Sequence, residues 1–189
     1  MIEIVKLYVK SRLDLESTGH DYMHALRVYK NAELLLHGGI DKNLVLVAAL
    51  THDLIDTKVT NEPEKELTLL MEFLEDKYDK YFSEKVASII TSISYRSGKV
   101  PESPEGKIVQ DADRLEALGA IGIARTFAYG GKHNRNIYHP EKDNDSVSHF
   151  YDKLFKLSDL MNTVEAKKIA VERTDYMRKF LEQLYLEIK

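Results

Sequence analysis

Residues 44–53 read LVLVAALTHD, and the fold class depends on how this stretch is interpreted. Its uninterrupted apolar run could form either a buried strand or a buried helix. Apolar and polar residues do not alternate in it, and it is rich in alanine, so we interpret it as a helix buried on all sides. Asp41 is placed to cap its first turn. The run ends in His52 and Asp53, two polar residues that a buried position accepts only with partners.

Apolar residues at helical spacing continue on both sides of this run. Further helices are predicted at about residues 2–15, 20–36, 62–76 and 83–94, the last capped by Ser83. One long helix is predicted from about Lys107 and carries the sequence IVQDADRLEALGAIGIARTFA. Two helices, about 147–160 and 163–188, end the chain.

The stretch from Tyr129 to Asp145 lacks helical periodicity and is predicted to be an irregular, mobile segment beside an active-site mouth. Together these patterns predict an all-α protein of about seven helices. We expect one domain over residues 1–189, with the chemical motifs in 20–115 and the helices of 146–188 packed on it.

The composition excludes several classes of function. The chain has 189 residues, with 27 basic and 31 acidic side chains, and this balance disfavours a nucleic-acid-binding protein. The absence of cysteine excludes disulfides, thiolate zinc sites and cysteine nucleophiles. No apolar run approaches the roughly 18 residues of a membrane span. The first residues, MIEIVKLYVKSRLD, do not resemble a secretory signal. We therefore expect a cytoplasmic protein with neither membranes nor nucleic acid among its partners.

Imidazole and carboxylate groups recur in the predicted helices, at His24, at His52-Asp53 and at Asp111 and Asp113. Buried together, these groups would carry a large desolvation cost, which one cation could offset. Imidazoles and carboxylates are common ligands of Mn, Fe, Ni, Co and Zn.

Each of these residues also has a purely structural interpretation. His24 could be a hydrogen-bonded core histidine, and the two aspartates could be surface charges paired with Arg114. His20 lies four residues before His24 on the same helix face, but with Asp21 it is interpreted as a surface helix-capping pair.

The ordered pattern resembles the HD-domain superfamily of metal-dependent phosphohydrolases, whose signature is H…HD…D. The segments GHDYMHALRV, LTHDLIDTK, VQDADRLEALGAIGIARTFAYGG and HFYDKLFKL are similar to a bacterial branch of small stand-alone HD hydrolases. The resemblance covers nearly all of the chain after Gly19. It implies an all-α HD-domain bundle and a divalent metal ion, Mn²⁺ first, with Mg, Ni, Co, Fe or Zn as alternatives.

The resemblance also implies roles for individual residues. The metal ligands would be His24, His52, Asp53 and Asp113. Asp111 would lie behind the ligands or beside the substrate, although the DAD doublet leaves open which aspartate is the distal ligand. The position three residues after the HD aspartate is often acidic in the family, and here it is Asp56, the candidate base that activates water.

Candidate substrate contacts are basic and aromatic. The phosphate candidates are Lys58, which we also place among the catalytic residues, and Lys153, Arg27, Arg114 and Arg125; each could equally be an ordinary helix-surface charge. A base or sugar could contact Tyr95, Phe127, Tyr129 or the loop from Lys132 to Tyr138, whose aromatic side chains could equally belong to the core.

The reaction implied is hydrolysis of nucleoside triphosphates or related nucleotides to a monophosphate and pyrophosphate. The alternatives are a 5′-nucleotidase or a cyclic-nucleotide phosphodiesterase on the same metal site, and an HD domain that senses nucleotides without turnover. A protein–protein scaffold is a weaker possibility, because it needs no buried His/Asp cluster. The partner expected is a nucleotide, with the protein a monomer or a homodimer.

Overall fold

The computed structural model describes residues 1–13, 20–93, 100–141 and 144–188, and these residues contain helices and turns but no β-strand. The predicted all-α fold is confirmed. The chain divides into two compact units, Met1–Asp113 and Arg114–Lys189. A single domain over the whole chain stays a prediction. Across the residues described, no helix combines the length and the apolar character that a membrane crossing requires.

The first unit contains helices α1 to α5 and most of α6. Their bounds are α1 (Ile2–Leu13), α2 (Tyr22–Leu34), α3 (Lys42–Thr51), α4 (Pro63–Lys77), α5 (Lys80–Ser92) and α6 (Pro104–Glu116). Helix α3 is central, because it packs against α1, α2 and α5. Every residue of α3 from Leu44 to Thr51 is buried. This all-round burial explains the apolar run, and its assignment to a helix is confirmed.

Three aspartates set the starts of helices in this unit. Asp21, Asp41 and Asp79 each accept a hydrogen bond from the backbone N–H three residues later, which satisfies a donor that the helix itself leaves unpaired. The predicted cap at Asp41 is confirmed. The predicted cap at Ser83 is wrong, because Asp79 starts α5 four residues earlier. The Ser83 hydroxyl instead donates to the carbonyl oxygen of Met71 at 3.0 Å.

The second unit is built on α7 (Gly119–Lys132) and α9 (Val164–Glu187), which pack against each other. Between them lie a π-helical turn (Phe150–Leu154), the short α8 (Phe155–Leu157) and a 3₁₀ turn (Ser158–Leu160). Phe150 is fully buried, and its ring centroid lies 5.9 Å from that of Phe127 and 6.4 Å from that of Phe180. This contact favours the interpretation of Phe127 as a core residue.

Two predicted boundaries are wrong near Gly119. The long helix predicted from Lys107 is two helices, because Gly119 has a φ of +75° in the left-handed region that ends helices. The chain turns so tightly there that a Cβ on Gly122 would lie 2.1 Å from the carbonyl oxygen of Ala117. Helix α7 then continues to Lys132, so the irregular segment begins after that residue rather than at Tyr129.

Candidate metal centre

His24 is held in place by the start of α2. Its backbone N–H donates to Asp21 Oδ1 at 2.7 Å, which fixes the first turn of the helix. The side chain is buried, with 1% of the residue exposed. Because α2 packs against α3, this position places the imidazole in the interior of the first unit.

His52 and Asp53 follow directly from the central helix. The α-helical geometry of α3 changes at His52 to a 3₁₀ turn, His52–Ile55, and both side chains remain buried. His52 Nδ1 lies 2.9 Å from the carbonyl oxygen of Ala49. Since a carbonyl only accepts, Nδ1 carries a proton and donates it, which leaves Nε2 as the nitrogen that can bind a metal.

Polar atoms of His24, His52 and Asp53 lie close together, and Asp113 approaches both histidines. Asp53 Oδ2 lies 3.0 Å from His24 Nε2, and Asp53 Oδ1 lies 3.2 Å from His52 Nε2. Asp113 Oδ1 lies 3.7 Å from His24 Nε2 and 3.6 Å from His52 Nε2. One ligand atom each from His24, His52 and Asp53 lies within 4.8 Å of the other two. All four residues belong to the first unit.

The donor set fits a divalent cation. Among the described residues, neither His52 Nε2 nor Asp53 Oδ2 makes a hydrogen bond, although both are buried. Buried polar atoms without hydrogen bonds are rare because each carries a desolvation cost. Two imidazole nitrogens and two carboxylate groups around a common point are typical ligands of Mn, Fe, Ni, Co or Zn.

The charges of the cluster stabilise one another in the absence of a metal. Burial disfavours the charged imidazole of His52, but Asp53 and Asp113 outweigh it and raise its pKa to about 9. Burial likewise opposes ionisation of Asp113, yet the close approach of His52 Nε2, 3.6 Å from Asp113 Oδ1, lowers its pKa to about 2. For Asp53, burial raises the pKa, but His52 and His24 shift it well below its usual value. Burial lowers the pKa of His24. The metal-free centre is therefore an ion cluster in which a proton on His52 takes the place of the cation.

Asp111 and Asp113 lie on different sides of α6. Two residues along an α-helix correspond to a rotation of about 200°. Asp113 is the aspartate with an oxygen close to both histidines, whereas Asp111 is fully buried, with 0% exposed. The geometry favours Asp113 as the distal ligand.

Asp56 and Lys58 form a half-exposed pair just after the 3₁₀ turn. Asp56 Oδ1 accepts a hydrogen bond from the backbone N–H of Lys58 at 2.8 Å, and the Lys58 ammonium lies 4.0 Å from Asp56 Oδ2. The same ammonium lies 3.4 Å from His20 Nε2. This contact connects the Asp56–Lys58 pair to His20, which lies just before α2.

His20 is the residue of this site that sequence reasoning missed. The capping part of this interpretation is confirmed, because Asp21 makes the capping bond, but His20 itself is half-buried rather than at the surface. Its ring meets that of His24 edge-on, with centroids 5.5 Å apart. Helical spacing from His24 does not account for this contact, because α2 begins at Tyr22 and His20 precedes its cap, Asp21.

The other predicted substrate contacts are dispersed. Arg27 is half-buried on α2, one turn after His24. Tyr95 lies outside the described residues. In the second unit, Lys153 is half-buried in the π-helical turn, and the Tyr129 ring stacks on His133 with centroids 3.9 Å apart.

Two predicted phosphate-binding arginines have partners within the second unit. Arg114 donates to the carbonyl oxygen of Leu160, and Arg125 forms an ion pair with buried Glu116. These contacts favour the structural interpretation of both arginines. Their substrate roles stay predictions.

Comparison with known proteins agrees with the geometry. The family model of the HD domain matches residues 21–118. The chain is 39% identical to the Bacillus subtilis protein YpgQ, over 98% of this chain and 93% of YpgQ. A crystal structure of YpgQ in complex with ADP superposes with a TM-score of 0.86 at 36% identity, covering 100% of this chain and 98% of that one. A crystal structure of an HD-superfamily hydrolase from Bacillus thuringiensis has a TM-score of 0.83 at 42% identity, covering 98% and 95% of the two chains.

The buried His/Asp centre and these matches define the class: the chain belongs to the HD domain family. It is a metal-dependent phosphohydrolase of the HD superfamily, as the resemblance in the sequence predicts.

Proposed function

We propose that the protein hydrolyses nucleoside triphosphates, or closely related nucleotides, to a monophosphate and pyrophosphate. The observation that carries this proposal is the convergence of His24, His52, Asp53 and Asp113 on one point. The ADP complex of YpgQ supports a nucleotide as the ligand, because that relative matches this chain over its full length.

A divalent ion held by these ligands, with Mn²⁺ as our first choice, would lower the pKa of a water molecule and polarise a phosphate group. In the proposed step the water oxygen forms a bond to the α-phosphorus, and the bond from this phosphorus to the oxygen bridging the α- and β-phosphates breaks. Pyrophosphate leaves with the electron pair of that bond.

Asp56 is the proposed acceptor of the water proton. Its carboxylate follows the ligand Asp53 by three residues, and it is held by the backbone N–H of Lys58. The Lys58 ammonium would contact a phosphate oxygen and stabilise the negative charge that gathers during the reaction. Substrate contacts from Arg27, Asp111 and Tyr95, and from the second-unit residues Arg114, Arg125, Tyr129 and Lys153, are proposals of the same kind. We also propose the cytoplasm as the location, where nucleotides are available.

The test is a product analysis with the purified, metal-loaded protein. dGTP, ATP, AMP and cyclic AMP are incubated with the protein in ¹⁸O-labelled water, and the products are identified by ³¹P NMR and mass spectrometry. Pyrophosphate together with ¹⁸O in the monophosphate supports the proposal. Asp53→Asn protein is the control for contaminating phosphatases.

The other outcomes identify the alternatives. Orthophosphate from AMP alone would indicate a 5′-nucleotidase, and AMP from cyclic AMP alone would indicate a phosphodiesterase. Nucleotide binding measured by calorimetry without any product would indicate a sensor. Each of these results would overturn the proposed reaction.

A further inference from the structure

His20 occupies a position that the metal centre does not explain. It is half-buried in front of α2, and its ring meets the His24 ring edge-on at a centroid distance of 5.5 Å. On its other side, Nε2 faces the Lys58 ammonium at 3.4 Å. His20 therefore lies between a metal-ligand candidate and the lysine that we place on the phosphate.

The Lys58 side chain needs such a contact to be held in place. Its carboxylate neighbour, Asp56 Oδ2, is 4.0 Å away, which is beyond hydrogen-bond distance. Lysine carries a point charge on a flexible stem of four carbons, and it loses much rotamer freedom when it is fixed. Of the two groups, His20 Nε2 is the nearer, and it alone lies within hydrogen-bond distance of the ammonium.

The Lys58 ammonium has an N–H donor available for a hydrogen bond to a substrate oxygen. An ammonium has three N–H donors and no acceptor. One donor points to His20 and one faces Asp56 at longer range, and the contacts of the described residues include no third partner. The lysine is exposed, so an oxygen from solution can reach the remaining donor.

We propose that His20 is a positioning residue: its Nε2 accepts a hydrogen bond from Lys58 and holds the ammonium beside His24, where the remaining donor binds a phosphate oxygen of the substrate. This inference rests on the proposed function. It adds a residue outside the H…HD…D pattern and assigns it a role that acts through Lys58.

The test is a double-mutant cycle on the metal-loaded full chain. His20→Phe keeps a ring against His24 and removes the acceptor, whereas His20→Gln supplies an amide oxygen as a substitute acceptor. Lys58→Met removes the ammonium, and the double variant combines His20→Phe with Lys58→Met. His37→Phe is the matched control, because His37 contacts the carbonyl oxygen of Gly38 at a surface position of the same unit. Metal content is measured for each protein.

We expect His20→Phe to lower kcat/KM by about 10- to 100-fold with unchanged metal content, the range for loss of a hydrogen bond to a charged group. His20→Gln should recover part of the activity, and His37→Phe should match the wild type. In the Lys58→Met background, His20→Phe should lower kcat/KM by less than about threefold, because Lys58, through which His20 acts, is no longer present. Independent, multiplicative losses, or loss of metal from His20→Phe, would overturn the positioning role.

A second readout does not depend on activity. Trace acetylation followed by peptide mass spectrometry gives the reactivity of Lys58 relative to Lys65, an exposed lysine paired with Glu62. We expect His20→Phe to raise this ratio by about two- to fivefold, because the hydrogen bond that occupies the amine is lost. An unchanged ratio refutes the contact even if the wild type hydrolyses no nucleotide. Full activity of His20→Phe beside an active wild type refutes the inference and leaves the proposed function intact.

Discussion

Both units of the chain bury charged groups, but they do so in different ways. In Met1–Asp113, the polar atoms of His24, His52 and Asp53 point at one another, and buried atoms of the last two make no hydrogen bond among the described residues. In Arg114–Lys189, the two arginines that the sequence places among the phosphate candidates have partners within the unit: Arg114 donates to the carbonyl oxygen of Leu160, and Arg125 pairs with Glu116.

This difference distinguishes the functional centre of the first unit from the structural polar contacts of the second. A buried polar atom without a hydrogen bond costs about 1 to 3 kcal/mol, whereas a paired one is close to neutral. The first arrangement leaves two such atoms in the metal-free protein, and a bound cation would engage them. The second arrangement is complete without a ligand.

The largest effect is expected from removing a ligand of the first unit. His52→Gln and Asp53→Asn should abolish tight metal binding and lower hydrolysis by about 10³-fold or more, since the contribution of the ion is several kcal/mol. Metal content by elemental analysis and rates with excess Mn²⁺ are the measurements. His37→Gln is the control. Full metal content in both ligand variants would contradict the assignment of His52 and Asp53 as metal ligands.

Asp56→Asn should keep most of the metal and lose turnover by about 10²- to 10⁴-fold, the range for a general base. The substitution keeps an oxygen that can accept from the Lys58 N–H, so the local turn is preserved. Single-turnover rates and metal content measure the two effects separately. A rate near that of the wild type would contradict the assignment of the base role to Asp56.

The ion pair of the second unit should affect stability rather than chemistry. Arg125→Met leaves the Glu116 carboxylate buried, and we expect a loss of about 2 to 4 kcal/mol in the free energy of unfolding, somewhat below the value for a fully buried pair because Arg125 is partly exposed. Urea unfolding is the measurement. Adding Glu116→Gln should restore part of the loss. A drop in kcat/KM without a stability change would instead support the predicted phosphate role of Arg125.

The smallest effect is a pH dependence confined to the first unit. The pKa of His52 is raised to about 9 in the folded, metal-free protein, above its unfolded value of about 6.5. Its contribution to stability is therefore full below about pH 6.5 and disappears as the pH rises through 9. A metal must displace the proton of His52, so Mn²⁺ should raise the melting temperature more at pH 8.5 than at pH 6.5.

The control for this pH dependence is His52→Gln, which should flatten the pH dependence of metal-free stability between pH 6.5 and 9. Asp53 and Asp113 have lowered pKa values, so their contributions disappear only in acid and leave this window unaffected. An equal Mn²⁺ effect at both pH values would contradict the assignment of the proton to His52.

Much of the first unit could be predicted from local sequence. The apolar run of α3 and the cap at Asp41 depend on neighbours within a few residues, and both are confirmed. The predicted helix boundaries near Gly119 are wrong because they depend on a backbone conformation that the apolar spacing does not reveal. A left-handed φ interrupts a pattern that remains periodic in sequence on both sides, so apolar spacing alone does not reveal the break.

The all-α class, the family and the order of the ligand candidates follow from local sequence, because hydrophobic periodicity and short motifs are encoded by residues close together in the chain. Three contacts become visible only in the folded chain: Asp113 faces both histidines, His20 contacts Lys58, and Arg125 pairs with Glu116. Apart from the short Arg125–Glu116 separation across the helix break, these contacts join residues 38 to 89 positions apart. Such contacts depend on how helices pack and rotate about their axes, and a helix rotated by one residue, about 100°, would present a different side chain to each site.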